Sequence, residues 1–434
     1  MSLRRSLSIP GQAAEIRVVQ HSGVPCRGMA RSKKLPYHRK THISLEYGKK
    51  KGPYMMRQLK HCGKNEDWEK AERVLAKALE INGVWHERVY TRTIGVMGVT
   101  GRWERAISLL REMPPNNCQP DAACYDVVMK ACGDAGQWEK ALELLDEMPS
   151  LGVQPTIYSY ITAMKGCGGA GQWEAAVGLL DKMSNEGTAP DEKAYHTAME
   201  VCSDARQWER VLDLLQEMPT KGLTPDDISY KTAMLACGKA GRWQKALDLL
   251  RDMASKGISP TVYNYDAVMS ACGHEGQWVT ALSLLREMPI KRVAPNVVIY
   301  HTVMEACVHG GQWEKVLSLL QEMPQKGVTP NVFHYNTAIR GCGSAGQWQK
   351  SIGMLPYMRS MGVVPNATSY SAVITACGDG GQWETALHLL KDMPANGITP
   401  DAACYTAAMK ACSDAGQWDE MGEVWGQMLA AFTA

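Results

Sequence analysis

No stretch of the 434-residue chain approaches the run of about 20 apolar residues that a membrane helix requires, so a membrane-spanning role is excluded. No C-x-x-C pair occurs either, which removes the usual zinc ribbons and dithiol redox sites. Missing too are a P-loop, G-x-S-x-G, H-E-x-x-H and the H-x-E…C-x-x-C signature of zinc deaminases. Without those motifs the chain reads as a non-enzyme with no cofactor and no metal. Charge is nearly balanced at +2, which by itself points to no charged partner, but it is unevenly spread. The first 51 residues hold 12 of the 47 Lys/Arg and two of the 45 Asp/Glu (Glu15 and Glu46), giving +10 and leaving −8 on residues 52–434.

That basic segment, with Arg4, Arg5, Arg17, Arg27, Arg31 and Arg39, lacks the apolar stretch of a secretory signal. Two readings stand: an organellar transit peptide, or a disordered basic tail that assists nucleic-acid binding. The remainder is organised by repetition. Eleven tryptophans from Trp68 to Trp418 lie 35 residues apart with no insertion or deletion. A fixed period of this length is one supersecondary unit copied in tandem, and such arrays work through extended surfaces rather than one pocket.

Within residues 122–156, Tyr125, Val128, Met129 and Cys132 share one helical face, predicting a helix from Tyr125 to about Ala135. Gly136 suits a left-handed turn. A second helix is expected from Gln137 to Met148, with Trp138, Ala141, Leu142, Leu145 and Met148 buried and Pro149 as its stop. Gly152 and Pro155 shape the loop onward. Ten cysteines, from Cys62 to Cys412, share one phase of the repeat; at that spacing they read as small packed residues, not disulfides. The tryptophans read as core. Residues 52–86 form an eroded copy, with Met55 in place of the tyrosine, expected to cap the array; ten copies occupy 87–434, the last truncated. Trp425, Met428, Leu429 and Phe432 are expected to fold back as a C-terminal cap. Arg206 and Glu66 stand where the other repeats carry the turn glycine, and Pro356 predicts a kink or early unwinding of its helix.

These residues resemble the pentatricopeptide repeat family. The resemblance rests on Tyr125, Ala135–Gly136, Ala141–Leu142–Leu144–Leu145–Met148 and Gly152–Val153–Pro155, recurring over about 350 residues. It implies an all-α, right-handed superhelical solenoid of helix-turn-helix repeats that binds single-stranded RNA in a mitochondrion or chloroplast, with the cytoplasm as the alternative site. Because the repeats run to the last residue, the expectation is a pure-repeat member without an added catalytic domain. The implied partners are single-stranded RNA and other RNA-processing proteins; no membrane is involved and the chain is expected to be a monomer.

In this family one base is read per repeat, by the residue after the tyrosine and the residue after the loop proline. Carried onto this chain, Thr91 with Asp121 resembles a guanine reader, Asn336 with Asn366 a pyrimidine reader, and Ser371 with Asp401 a weaker guanine reader. Asp126 with Thr156, Ile161 with Asp191, His196 with Asp226, Lys231 with Thr261, Asp266 with Asn296 and His301 with Asn331 match no familiar pair, and Thr406 has no partner. The side chain two residues before the tyrosine sandwiches the base. Tyr158, Ile228, Tyr263, Val298 and Phe333 suit that role; Arg88, Ala123, Lys193, Thr368 and Ala403 suit it less.

Charge opposes tight RNA binding, which depends on neutralised phosphates. Asp134, Asp204, Asp379 and Asp414 fall where a phosphate-contacting lysine is expected, and Lys239 alone clearly serves. Histidines 196, 274, 301, 309 and 334 in first helices read chiefly as solvated surface. The acids Asp146–Glu147, Glu217 and Glu322 read as solvated faces of second helices. A protein-binding helical scaffold remains the alternative function.

Overall fold

The computed structural model describes residues 53–80 and 86–433. The basic segment 1–51, and with it the transit-peptide reading, lies outside them. Eleven helical hairpins stack in sequence, the first from a helix over 53–65 and Trp68–Leu79, the last from Ala402–Asp414 and Trp418–Thr433. No strand occurs among the described residues. First helices pack on first helices to form one wall, and each second helix rests on its own first helix and on that of the next repeat. The first helices are therefore enclosed on two sides. In Ala122–Asp134 Cys124, Tyr125, Asp126, Val128, Met129, Ala131 and Cys132 are all buried.

The local rules of the repeat are visible in its caps. Gly136 has φ 73°, its N–H donates to Gly133 O at 2.9 Å, and Gln137 N–H donates to Cys132 O at 2.8 Å. This pair of bonds around a left-handed residue ends the first helix and satisfies two of its terminal carbonyls. The same closure ends the second helix, with Gly152 N–H on Pro149 O at 3.1 Å and Val153 N–H on Met148 O at 3.0 Å. Pro149 is thus not the stop: the helix runs Trp138–Ser150 and contains it. Its ring lies on the exposed side of the last turn, where the lost backbone bond can be made to water, so the glycine, not the proline, terminates the helix. Pro356 behaves alike. Trp348–Ser360 runs through it without early unwinding, and Pro356 is exposed.

Arg206 does take the left-handed conformation, with φ 58°, as do Glu66 at 55°, Asn117 at 57° and Arg292 at 61°. A non-glycine residue there costs about 1–2 kcal/mol. Arg292 and Asn117 occupy the second closure, whose departures from glycine escaped the sequence reading.

The phased tryptophans from Trp68 to Trp383 are half-buried; Trp138 and Leu142, expected in the buried stripe, are only partly buried, and Leu144 is buried instead. Each is the first residue of a second helix, and Trp278 and Trp348 lie against the next repeat's turn, where a Cβ built on Gly310 would sit 2.3 Å from Trp278 Cδ1 and one on Gly380 2.7 Å from Trp348 Cδ1. Cations cover several of the rings, with Arg102 3.6 Å from the Trp68 centroid and Lys350 3.7 Å from that of Trp313. Trp418 is 62% exposed. Its helix continues unbroken to Thr433 instead of folding back, because no proline or left-handed residue interrupts it. Trp425, Leu429 and Phe432 stay exposed; Val424 is buried, Met428 is partly buried against the core, and Phe432 meets the Tyr405 ring edge-on at 6.3 Å.

Small residues bring neighbouring first helices together near their C-terminal ends. A Cβ added to Gly343 would sit 2.7 Å from Ala376 Cβ, and one on Gly378 would sit 2.7 Å from Ala411 Cβ. The phased cysteines fill the same layer as free, buried thiols, and burial pushes those of Cys132, Cys167, Cys202 and Cys237 up to about 11. Protonated and enclosed, they pack as inert groups.

Candidate functional site

A column of fully buried tyrosines sets the frame. Tyr195 is 1% exposed, and its hydroxyl donates to Glu217 Oε1 at 2.9 Å. Tyr230 reaches Asp252 at 2.7 Å and Tyr300 reaches Glu322 at 3.3 Å. Glu217 and Glu322 are therefore not solvated faces. They close each hairpin by receiving the one polar atom of a buried ring, which otherwise would be orphaned. Burial, with the neighbouring carboxylate adding to it, pushes the phenols of Tyr265 and Tyr300 up to about 12.

Every residue assigned to the position after the loop proline is the N-cap of a first helix: Asp121, Thr156, Asp191, Asp226, Thr261, Asn296, Asn331, Asn366 and Asp401. Asp121 Oδ1 accepts from Cys124 N–H at 2.9 Å, Asp191 Oδ1 from Ala194 N–H at 2.9 Å and Asp401 Oδ1 from Cys404 N–H at 3.0 Å. These side chains stabilise their helices by capping whatever else they do. The caps also start the helices three residues before the tyrosine, so the first helix is Ala122–Asp134 and not Tyr125–Ala135.

The residue immediately before the tyrosine, read from the sequence only at His334 and there as surface, lies between the two members of several pairs. Its signal was available: a polar side chain three residues after an N-cap is the spacing of a capping box. His196 Nε2 lies 3.1 Å from Asp226 Oδ1 and 2.7 Å from Ser229 Oγ, while Ser229 O–H donates to Asp226 Oδ1 at 2.8 Å. Although burial opposes it, the bonds from Ser229 and the proximity of His196 hold the Asp226 carboxyl below its ordinary value. Asn336 and Asn366 meet through Ser369, whose Oγ is 2.6 Å from one carboxamide oxygen and 3.0 Å from the other. Thr91 Oγ1 lies 3.1 Å from Cys124 Sγ, beside the cap of Asp121. Ser159 Oγ lies 3.1 Å from Thr156 Oγ1. Asp126 is 9% exposed, its Oδ1 has no hydrogen-bond partner, and burial raises its carboxyl above the ordinary value.

Other pairs are not joined this way. Between Ile161 and Asp191 stands Ala194, and between Asp266 and Asn296 stands Ile299; Asp266 instead accepts from Thr302 at 2.6 Å. Asn264 accepts from Thr261 Oγ1 at 2.7 Å and donates to Asp227 O at 3.0 Å, leaving Lys231 outside the bond. Cys404, between Ser371 and Asp401, donates to Ala367 O at 3.4 Å, and Thr406 donates to Ala402 O at 2.7 Å.

His334, expected at the surface, is 1% exposed. Its Nε2 lies 2.9 Å from Val297 O, its Nδ1 lies 2.7 Å from Asn331 Oδ1 and 3.3 Å from Asn331 N, and the His301 ring stands edge-on at 5.9 Å. His301 in turn lies 3.5 Å from Glu305. Burial holds the His334 imidazole below its ordinary 6.5, so the folded chain keeps it neutral where the unfolded chain is protonated. Its contribution is complete above the ordinary imidazole pKa and is lost progressively as pH falls below it. His334→Asn, with Asn264 as precedent for the site, should shrink the drop in urea midpoint between about pH 7.5 and about pH 5.5. An unchanged drop would assign that pH dependence elsewhere.

Alongside the pairs runs a row of uncovered apolar side chains: Tyr158 at 67% exposed, Tyr263 at 69%, Val298 at 52% and Phe333 at 65%, with Ile228 at 44%. All stand two residues before a buried tyrosine. Lys239, singled out as a phosphate contact, is paired with Asp204 at 2.7 Å; Lys410 is paired with Asp379 at 2.8 Å and Lys130 with Asp134 at 2.9 Å. Among the described residues no cluster of His, Cys, Asp and Glu could hold a metal, and no helix is long and apolar enough to cross a membrane.

No curated protein matches the chain in sequence. Among solved structures it is similar to the pentatricopeptide repeat protein PPR10 in complex with an 18-nt psaJ RNA element, at 25% identity and TM-score 0.51 over 85% of this chain and 57% of that one. The chain thus spans little more than half of that relative's length. A second structure, of the pentatricopeptide repeat protein PPR10 from maize, aligns at 21% identity and TM-score 0.42, covering 86% of this chain and 68% of that one. Yeast Rmd9p with a 16nt target RNA aligns at 10% identity and TM-score 0.38, covering 86% and 87%. Models of the PPR repeat family match residues 122–169, 295–343, 330–379 and 369–414, a PPR repeat model matches 88–114 and 403–431, and the pentacotripeptide-repeat region of PRORP matches 172–288. The chain belongs to the pentatricopeptide repeat family.

Proposed function

We propose that the chain binds single-stranded RNA along its first-helix wall, reading one base per repeat, as a non-catalytic factor in a mitochondrion or chloroplast. The observation that carries this reading is the row of exposed Tyr158, Ile228, Tyr263, Val298 and Phe333 beside the paired side chains. Exposed apolar groups at the same place in five repeats, four of them next to two polar side chains, match a base that needs a stacking face and a hydrogen-bonded edge. The similar structure that holds an 18-nt RNA element supports the same assignment. Residues 52–86 would cap the array, and the basic segment 1–51 would serve as transit peptide or auxiliary RNA tether. Occupying a transcript would act physically, by blocking nucleases, opening a hairpin or exposing a processing or translation site.

A protein-binding scaffold is the second reading, favoured by the engagement of Lys239, Lys410 and Arg340 with acids. Selection from a random single-stranded RNA pool with the full chain separates the two. Enrichment of a motif whose binding weakens steeply with salt is the expected result. No enriched motif, or binding indifferent to salt, would overturn the RNA reading.

A further inference from the structure

The two reading positions do not act alone: we infer that the buried residue immediately before the tyrosine is a third specificity determinant, which sets the polarity that the first reader presents to the base. This inference rests on the RNA reading above. It is clearest at Ser369, which is fully buried between Asn336 and Asn366.

The hydrogen bonds at Ser369 set the orientation of both carboxamides. Its Oγ accepts from Asn366 N–H at 3.2 Å, so its proton must be donated elsewhere. Asn366 Oδ1 already accepts from Ser369 N–H at 3.0 Å as the helix cap. Asn336 Oδ1, at 2.6 Å, is the nearer acceptor. Both carboxamide oxygens are therefore held toward the serine, and both Nδ2 groups, which are pure donors, are turned away from it. A base edge facing two donors is best matched by two adjacent acceptors. Cytosine offers that on its Watson–Crick edge with N3 and O2, and no other Watson–Crick edge sets two acceptors side by side.

At His196 the same residue type gives the opposite polarity. The carboxylate of Asp226 is the stronger acceptor for the Ser229 proton, at 2.8 Å, so His196 Nε2–H donates to Ser229 Oγ at 2.7 Å. In the neutral ring this places the proton on Nε2 and leaves Nδ1 as an acceptor. Where the position is Ala194 or Ile299, no such constraint exists. The occupant of this position thus separates repeats with a preset reader from repeats whose reader turns freely.

The test is binding of the full chain to single-stranded RNAs that carry the selected motif and differ only at the base facing Asn336 and Asn366. Ser369→Ala is compatible with the fold, since Ala194 occupies the same place, and Ser369→Cys has precedents in Cys124 and Cys404. Ser369→Ala should reduce discrimination of cytosine from purines at this base about fivefold, the weight of one hydrogen bond. Discrimination at neighbouring bases should be unchanged, the thermal midpoint should fall only slightly from the lost cap bond, and Ser369→Cys should fall between. If the wild-type chain discriminates and Ser369→Ala discriminates equally well, this inference alone is overturned. If the wild-type chain shows no preference at that base, the inference falls together with the base-reading assignment.

Discussion

Asn336→Thr combined with Asn366→Asp should convert one position of the bound RNA from a pyrimidine to a guanine preference, a change of about tenfold to a hundredfold in relative affinity. The replacement pair is that of Thr91 and Asp121. An aspartate at residue 366 keeps the helix cap, as Asp121, Asp191 and Asp401 do, so the fold is not the variable. What changes is the edge presented. Carboxamide donors give way to a carboxylate, which only accepts and matches the adjacent N1–H and N2–H groups of guanine. Affinity measured against the four bases at that position decides the matter; an unaltered preference would remove residues 336 and 366 from base reading.

Tyr195→Ala should destabilise its part of the array by about 3–5 kcal/mol, the range for truncating a buried aromatic side chain. Tyr195→Phe should cost only about 1 kcal/mol, because Glu217 is partly exposed and can be hydrated when the phenol is removed. Stability in a solenoid is a sum of repeat and nearest-neighbour terms, so the damage should be local. Hydrogen exchange is the direct reading: protection should fall in residues 192–220 and their neighbours, and persist near residue 350. Loss of protection along the whole array at once would show cooperativity far beyond nearest neighbours.

The period, the hairpin and its left-handed turn were legible because each follows from short-range chemistry repeated eleven times. Gly136 is needed wherever φ is positive, and Arg206 betrays the same demand by violating it. What stayed hidden depends on two surfaces meeting. Glu217 looks solvated until Tyr195 is placed beneath it, and Trp138, which looks like core, is only partly buried against it. His334 looks like surface until the preceding repeat supplies Val297 O as its acceptor. The helix starts were misplaced for a different reason. Asp121 and its counterparts are ordinary N-cap residues, but assigning them to base reading obscured the structural work that the same atoms perform.

The close Gly–Ala contacts between successive first helices bear on accuracy along the whole strand. Gly343 against Ala376 and Gly378 against Ala411 leave no room for another methyl group at that end of the wall. They act as a fulcrum: each small pair fixes the angle at which one hairpin follows the last. In a quasi-one-dimensional stack an error at one joint is carried by every later hairpin. A bulkier side chain there would misalign distant reading positions without touching a base, so fidelity is set partly by residues that meet only each other.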